Sequence, residues 1–171
     1  IPVSVPDPKG GGQKTERVRV IDWENPAAND FLLVSQFSVT GSLYTRRPDL
    51  VGFVNGLPLV VIELKKPGVP AQQAFDDNLT CYKADIPQLF WFNGLMIASD
   101  GTESHVGSLT ADWERFFEWK RIEREDEPRR VSLEVMLRGT CEPSRLLDLL
   151  ENFSLFSEHK AGLVKIVGQN H

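Results

Sequence analysis

Residues that commonly form disulfides or bind zinc are scarce in this chain. Its 171 residues include only 2 cysteines and 3 histidines, and Cys81 lies far from Cys141 in sequence. This spacing matches no zinc-binding pattern, and it indicates two free thiols in a reducing compartment. A Ser-His-Asp triad is not indicated either, because no serine stands in a nucleophile motif.

Long apolar runs are also missing. No stretch approaches the roughly 18 to 20 continuous apolar residues of a membrane helix, and no signal-peptide pattern opens the chain. At 41% hydrophobic residues, the chain is long enough for one domain with a real core. We therefore expect a soluble domain without a membrane segment. Because the chain begins with Ile1 rather than Met, we expect it to be a fragment.

Excess positive charge is absent as well. The formal net charge is -5 and the isoelectric point is near 5.2, which argues against a protein that coats nucleic acid by bulk electrostatics. An enzyme that acts on DNA is not excluded, because a site that recruits divalent cations brings its own positive charge.

The pattern of apolar residues predicts the fold class. Residues 1–16 are rich in Pro, Gly and polar residues without a period, which indicates an N-terminal arm or the remnant of a truncated element. The rest of the chain, residues 17–171, forms the predicted domain. The mixture of elements indicates an α/β fold with a mixed β-sheet flanked by helices. The predicted strands lie within 17–23, 31–39, 47–65, 89–101 and 103–109, and the predicted helices within 70–83, 112–127 and 142–156.

The stretch RPDLVGFVNGLPLVVIELKKP, residues 47–67, places three ionisable residues on otherwise apolar strands. Asn55-Gly56 between two apolar runs predicts a β-hairpin. Glu63 and Lys65 are two residues apart on one strand, so their side chains leave the same face of the sheet. Asp49 begins the partner strand near the same open end. Carboxylate oxygens are the ligands that Mg²⁺ prefers, and a lysine beside such a site is typical of hydrolytic centres.

The hairpin register decides whether this site can form. A strict two-residue turn at Asn55-Gly56 would pair Asp49 with Ile62 and send Glu63 to the opposite face. We therefore predict a longer loop or a one-residue bulge near 56–58, or else a bend at Pro48-Asp49.

The hairpin sequence resembles a known nuclease motif. Pro48-Asp49 followed by Glu63-Leu64-Lys65 is similar to the PD-(D/E)XK motif, and the longer string resembles the nuclease domain of the restriction subunit of type I restriction enzymes. The strings that follow resemble that family in the same order, and the similarity spans residues 17–171. These strings are NGLPLVVIELK, IPQLFWFNGL, RFFEWK and RLLDLLENF.

The resemblance implies a restriction-endonuclease-like core and a specific set of roles. It implies Mg²⁺, for which Mn²⁺ can substitute, held by Asp49, Glu63 and the main-chain carbonyl of Leu64, with Lys65 positioning the attacking water. It also implies hydrolysis of double-stranded DNA without sequence readout, in cytoplasmic complexes with methylation and specificity subunits. An ATP-driven motor domain follows the nuclease domain in such subunits, and LVKIVGQNH, residues 163–171, resembles the approach to it.

Two departures from the family pattern and several residue roles stay open. The family often carries Gln-x-x-x-Tyr after the catalytic strand, whereas here Asn78 stands four residues before Tyr82. The resemblance makes Tyr82 and Asn78 candidates for DNA contacts or for support of the active site. The helix that opens the family's fold has no counterpart before residue 17. Arg46 and Arg47 are candidates for phosphate contacts or simply exposed arginines. The alternative function is a catalytically inactive, nuclease-like module that couples DNA and the motor domain.

Overall fold

The computed structural model describes residues 2–124, 126–159 and 162–168. The last three residues of the predicted approach to the motor domain, 169–171, lie outside this part of the chain. The strands are β1 (Pro2–Pro6), β2 (Gln13–Arg17), β3 (Phe31–Ser35), β4 (Val39–Thr40), β5 (Thr45–Arg46), β6 (Leu50–Val54), β7 (Leu57–Leu64), β8 (Leu95–Ser99), β9 (Ser104–Gly107), β10 (Ser154–His159) and β11 (Gly162–Val167). The α-helices are α1 (Ala71–Gln73), α2 (Thr80–Asp85), α3 (Ser132–Thr140) and α4 (Pro143–Asn152), and a π-helical segment (Ala74–Leu79) joins α1 to α2.

A five-stranded mixed sheet forms the centre of the fold, as predicted for an α/β protein. Its strand order is β3-β6-β7-β8-β9. Strands β7 and β8 are parallel, and the other neighbouring pairs are antiparallel. The parallel pair is joined by the helical segment from α1 to α2, as the crossover between parallel strands requires. This arrangement is compatible with a restriction-endonuclease-like core.

Helices cover both faces of the sheet. On one face, Val61 and Ala98 pack with Leu79 and Tyr82 of the crossover. On the other face, Ile62 of β7 and Ile97 of β8 share a core with Met136 of α3 and Leu147 of α4. Adjacent residues of β7 therefore belong to opposite cores, which explains why this strand reads as a continuous apolar run instead of an alternating one.

The β6–β7 hairpin contains the register shift that the chemistry of the site demands. Asn55 and Gly56 both have positive φ, 49° and 81°, which is the geometry of a two-residue hairpin turn. The ladder runs from Phe53 opposite Pro58 to Gly52 opposite Val60, so Leu59 is the extra residue of a bulge. The predicted bulge is confirmed, one residue beyond the predicted range. Past it, Leu50 pairs with Ile62, which brings Asp49 opposite Glu63.

Several local predictions were wrong. Residues 18–23 form no strand, and the N-terminal arm is instead a hairpin of β1 and β2. The predicted helix over 112–127 is reduced to one 3₁₀ turn at Trp113–Arg115 in its described residues. Phe116 and Trp113 pack on Phe75, while Phe117 pairs with Val106 at the sheet edge. Tertiary packing of these aromatic residues overrides the helical pattern. The last predicted helix ends at Asn152, and residues 154–156 begin β10 instead. Helix α3 and strand β11 were not predicted.

A membrane-spanning helix is not found in the described part of the chain, since none of its helices has the necessary length and apolar character.

Candidate active site

Asp49 and Glu63 meet at the open end of the β6–β7 hairpin. The main-chain N–H of Asp49 donates to Oε2 of Glu63 at 3.3 Å. The N–H of Leu64 donates in return to Oδ2 of Asp49 at 2.9 Å. The two predicted carboxylates are therefore brought together, and the bulge at Leu59 makes this pairing geometrically consistent.

Glu63 is a buried carboxylate with a strongly raised pKa. Only 4% of the Glu63 surface is exposed. Burial, followed by the negative charge of Asp49, raises the pKa of Glu63 from 4.5 to about 7. Hydrogen bonds from the Asp49 N–H and the Tyr82 hydroxyl act in the opposite direction, as does the charge of Lys65. The net result is a carboxylate that is poorly compensated by the protein alone.

A chain of hydrogen bonds connects Lys65 to Glu63 through the helical crossover. Nζ of Lys65 donates to Oδ1 of Asn78 at 2.7 Å. Nδ2 of Asn78 donates to the Tyr82 hydroxyl at 3.2 Å, and this hydroxyl donates to Oε1 of Glu63 at 3.1 Å. Burial raises the pKa of Tyr82 to about 12, so its hydroxyl keeps the proton that it donates. The shorter side chain of Asn78, in place of glutamine, still reaches the lysine.

The π-helical segment positions this relay. Pro70 precedes the crossover, where its fixed φ suits a helix start. Ala74, Phe75 and Leu79 are buried against the sheet, while Asn78 is half-buried. Single π turns within α-helices are frequent at functional sites. Here the segment contains Asn78 and leads directly into the turn that carries Tyr82.

Gln36 contacts Asp49 from the other side, a contact that the sequence did not predict. Its side-chain Nε2 donates to Oδ1 of Asp49 at 2.8 Å, and its main-chain N–H donates to the Asp49 carbonyl at 2.9 Å. Gln36 follows directly after β3. No local sequence signal identifies it, because the contact depends on the pairing of β3 with β6.

The donor set at this end of the sheet suits a divalent cation. Two carboxylates share one small volume, and one of them is buried with a raised pKa. A cation that takes oxygen ligands would compensate the charge that the fold buries. The predicted role of the Leu64 main-chain carbonyl stays a prediction, although Leu64 lies between Glu63 and Lys65 and contacts Asp49 through its N–H.

Comparison with known proteins identifies the family. The family model described as the type I restriction enzyme R protein N terminus matches residues 3–115. The chain belongs to this family. It is 40% identical over 162 residues to the type I restriction enzyme HindI endonuclease subunit of Haemophilus influenzae, covering 90% of this chain and 15% of that protein.

Two further relatives carry similar names. The MjaIXP endonuclease subunit of Methanocaldococcus jannaschii, whose name places it among type I restriction enzymes, is 35% identical over 175 residues, or 89% of this chain and 17% of the relative. The type I restriction enzyme EcoprrI endonuclease subunit of Escherichia coli is 28% identical over 156 residues, or 88% of this chain and 50% of the relative. The chain spans about a sixth of the length of the first two relatives.

The two arginines of this R protein N terminus that were candidates for phosphate contacts have protein partners. Nε of Arg46 donates to Oδ2 of Asp85 at 2.7 Å, which joins β5 to the end of α2. Nε of Arg47 donates to the Ser38 hydroxyl at 3.2 Å, and Arg47 is exposed. Neither arginine contacts Asp49 or Glu63 among the described hydrogen bonds. A phosphate-binding role for both residues stays a prediction.

A second group of ionisable residues lies at the sheet edge. Nε2 of His105 is 2.7 Å from Oε1 of Glu103 and 3.4 Å from Oε1 of Glu118. Ala98 pairs with both Glu63 and His105 across the sheet, so this group is separated from Glu63 by a full strand. The sequence did not indicate it, because Glu118 is brought to β9 by the packing of the segment after β9.

Proposed function

We propose that this chain is a metal-dependent endonuclease domain that hydrolyses phosphodiester bonds of double-stranded DNA without reading the sequence itself. The observation that carries the proposal is the direct contact of Asp49 with Glu63, next to Lys65, at one end of the sheet. The family and the names of the relatives support an endonuclease role. The PD-(D/E)XK resemblance supports the assignment of these three residues as catalytic.

In this proposal Asp49 and Glu63 hold Mg²⁺ or Mn²⁺, together with the main-chain carbonyl of Leu64. Such a cation supplies Lewis-acid stabilisation of the charge that develops on the scissile phosphate. The protein's own contribution is the fixed approach of the two carboxylates. Both oxygens of Asp49 and both oxygens of Glu63 accept hydrogen bonds, which limits the rotation of either group.

Lys65 is the residue proposed to orient the attacking water and to stabilise the charge near it. Its ammonium can donate three hydrogen bonds, and one of them goes to Asn78. Asn78 is in turn held by Tyr82, which is held by Glu63. This relay fixes the ammonium relative to the carboxylates. Asn78 and Tyr82 are therefore proposed as supporting residues instead of DNA contacts.

The wider setting of the domain is part of the proposal. Because the first two relatives are about six times longer than this chain, we propose that it functions within a longer subunit in which an ATP-driven translocase follows it. Methylation and specificity subunits are the proposed partners, in a cytoplasmic complex. The translocase and the partner subunits would then recognise the DNA sequence and determine when cleavage occurs.

Metal binding by the chain tests the site directly. Mn²⁺ is titrated calorimetrically into the wild-type chain and into Asp49→Asn and Glu63→Gln. We expect at least tenfold weaker binding in both variants, because each removes a negatively charged ligand. Asp76→Asn is the matched control, since Asp76 is an exposed carboxylate on the neighbouring helical segment. Equal Mn²⁺ binding by the wild type and Glu63→Gln would contradict the proposal.

Cleavage tests the role of Lys65 and separates the nuclease from a non-cleaving coupling module. Plasmid nicking is assayed in the longer subunit with Lys65→Ala and with Lys66→Ala as the control. Lys66 is the next residue and is exposed. We expect nicking to be lost only in Lys65→Ala. Unchanged nicking without Lys65 would defeat the catalytic assignment, and a wild-type subunit that translocates but never nicks would favour the coupling module.

A further inference from the structure

Gln36 has an unusual backbone conformation. Among the described residues, only Gln36 and Asn55 have a positive φ without being glycine, at 53° and 49°. Asn55 lies in a hairpin turn that requires this conformation, and asparagine tolerates it well. Glutamine is not enriched there, and Gln36 follows a strand instead of occupying such a turn. The conformation of Gln36 therefore needs another explanation.

Glycine is the residue that would satisfy this backbone position without strain. Strained residues of this kind persist where the surrounding structure holds them, and they cluster at functional sites. A glycine at position 36 would keep the main-chain hydrogen bond to the Asp49 carbonyl. It would lose the hydrogen bond that the Gln36 side chain donates to Oδ1 of Asp49 at 2.8 Å. What distinguishes glutamine from glycine at this position is thus the contact with Asp49.

The Asp49 carboxylate is held by one donor on each oxygen. Gln36 approaches Oδ1 from the β3 side, and the Leu64 N–H approaches Oδ2 from the β7 side at 2.9 Å. Two donors on opposite oxygens fix the plane of the carboxylate. The remaining lone pairs of Asp49 stay available for a ligand, because each carboxylate oxygen can accept two interactions.

We propose that Gln36 is a positioning residue for the Asp49–Glu63 site: its side-chain amide holds the Asp49 carboxylate in the orientation that binds the divalent cation. This inference rests on the proposed function. Residues that hold a metal ligand in place typically contribute about 10- to 100-fold to metal affinity. Gln36 does not touch the cation itself in this proposal, and it acts through Asp49.

Two substitutions separate this role from a purely structural one. Gln36→Gly suits the positive φ and removes the amide, so we expect its thermal stability without metal to match or exceed that of the wild type. Gln36→Met keeps a side chain of similar length and removes the amide. In both variants we expect Mn²⁺ affinity, measured by calorimetric titration, to fall at least about tenfold. Gln72→Met, on the exposed face of α1, is the matched control and should bind as the wild type does.

The outcomes distinguish this inference from the proposed function. Glu63→Gln is titrated in parallel. If Glu63→Gln binds Mn²⁺ as tightly as the wild type, the proposed metal site itself fails. If Glu63→Gln weakens binding while Gln36→Met retains wild-type affinity, only the positioning role of Gln36 is overturned. Weakened binding in Gln36→Gly together with undiminished thermal stability supports the role, because a merely structural residue would not separate the two readouts.

Discussion

Replacing Glu63 with glutamine should raise the free energy of unfolding at pH 8, relative to its effect at pH 5, when divalent cations are removed. Burial and the charge of Asp49 raise the pKa of Glu63 from 4.5 to about 7 in the folded protein. The folded state therefore binds this proton more tightly than the unfolded state does. The contribution of Glu63 to stability is therefore fully present below about pH 4.5 and is lost as the pH rises through about 7. At 1.36 kcal/mol per pH unit, ionised Glu63 costs about 3 kcal/mol above that range.

Glutamine fits the same position and keeps one of the two hydrogen bonds that Glu63 accepts. Its amide oxygen can accept the Asp49 N–H that now reaches Glu63 at 3.3 Å. Its amide nitrogen faces the Tyr82 hydroxyl, which now donates to the other Glu63 oxygen at 3.1 Å, so this hydroxyl loses its acceptor. The substitution therefore removes the buried charge at the cost of one hydrogen bond. Because this cost is present at both pH values, the pH dependence of the stability difference reports the charge.

Urea unfolding at pH 5 and pH 8 in the presence of EDTA measures this effect. We expect the stability of Glu63→Gln relative to the wild type to rise by about 2 to 3 kcal/mol between pH 5 and pH 8. Glu151→Gln removes an exposed carboxylate and should change neither value by more than about 0.5 kcal/mol. If the wild type and Glu63→Gln differ by the same amount at both pH values, the assignment of a raised pKa to Glu63 is refuted.

Two further substitutions test other parts of the structure. Tyr82→Phe removes the hydroxyl that donates to Glu63, so the pKa of Glu63 should rise further above about 7; a carboxyl titration by NMR checks this, and an unchanged pKa would contradict it. Gly41→Ala would bring a Cβ atom into the Asp85 carbonyl oxygen, so we expect a loss of about 1 to 3 kcal/mol in urea unfolding. Gly10→Ala, where a Cβ meets nothing within 4 Å, is the control, and equal stability of the two variants would show that the contact is not tight.

The sequence predicted the parts of the site that follow from local chemistry. The sequence identified Asp49, Glu63 and Lys65 because buried charges on apolar strands require a compensating partner. A shared site also requires both carboxylates on one face of the sheet, which predicted the bulge that lies at Leu59. Because side chains alternate with a period of two, a two-residue turn at Asn55-Gly56 requires a bulge or a bend elsewhere to bring both carboxylates to one face. Here the chemistry of the residues constrained the geometry of the backbone.

The sequence could not predict contacts that arise from tertiary packing. Gln36 reaches Asp49 only because β3 pairs with β6, and nothing near residue 36 in the sequence signals this. Arg46 donates to Asp85 only because the fold places the end of α2 beside β5. The predicted helix over 112–127 had the right period, but Phe117 pairs with β9 instead. Hydrophobic periodicity shows which residues are apolar, but it does not show which residues they pack against.

Three features that lower stability occur around Asp49 and Glu63. The buried charge of Glu63 and the left-handed backbone of Gln36 lie at the open end of the β6–β7 hairpin, and the bulge at Leu59 lies in the same hairpin near its turn. All three act on the relative placement of Asp49 and Glu63, and a purely structural domain would gain stability by losing them. The proposed function accounts for their coincidence, because a cation that binds only the folded state stabilises it by about 2.7 kcal/mol at 100 times its dissociation constant. This gain is close to the cost of about 3 kcal/mol assigned to ionised Glu63, so the metal-loaded domain would be about as stable as one without the buried charge.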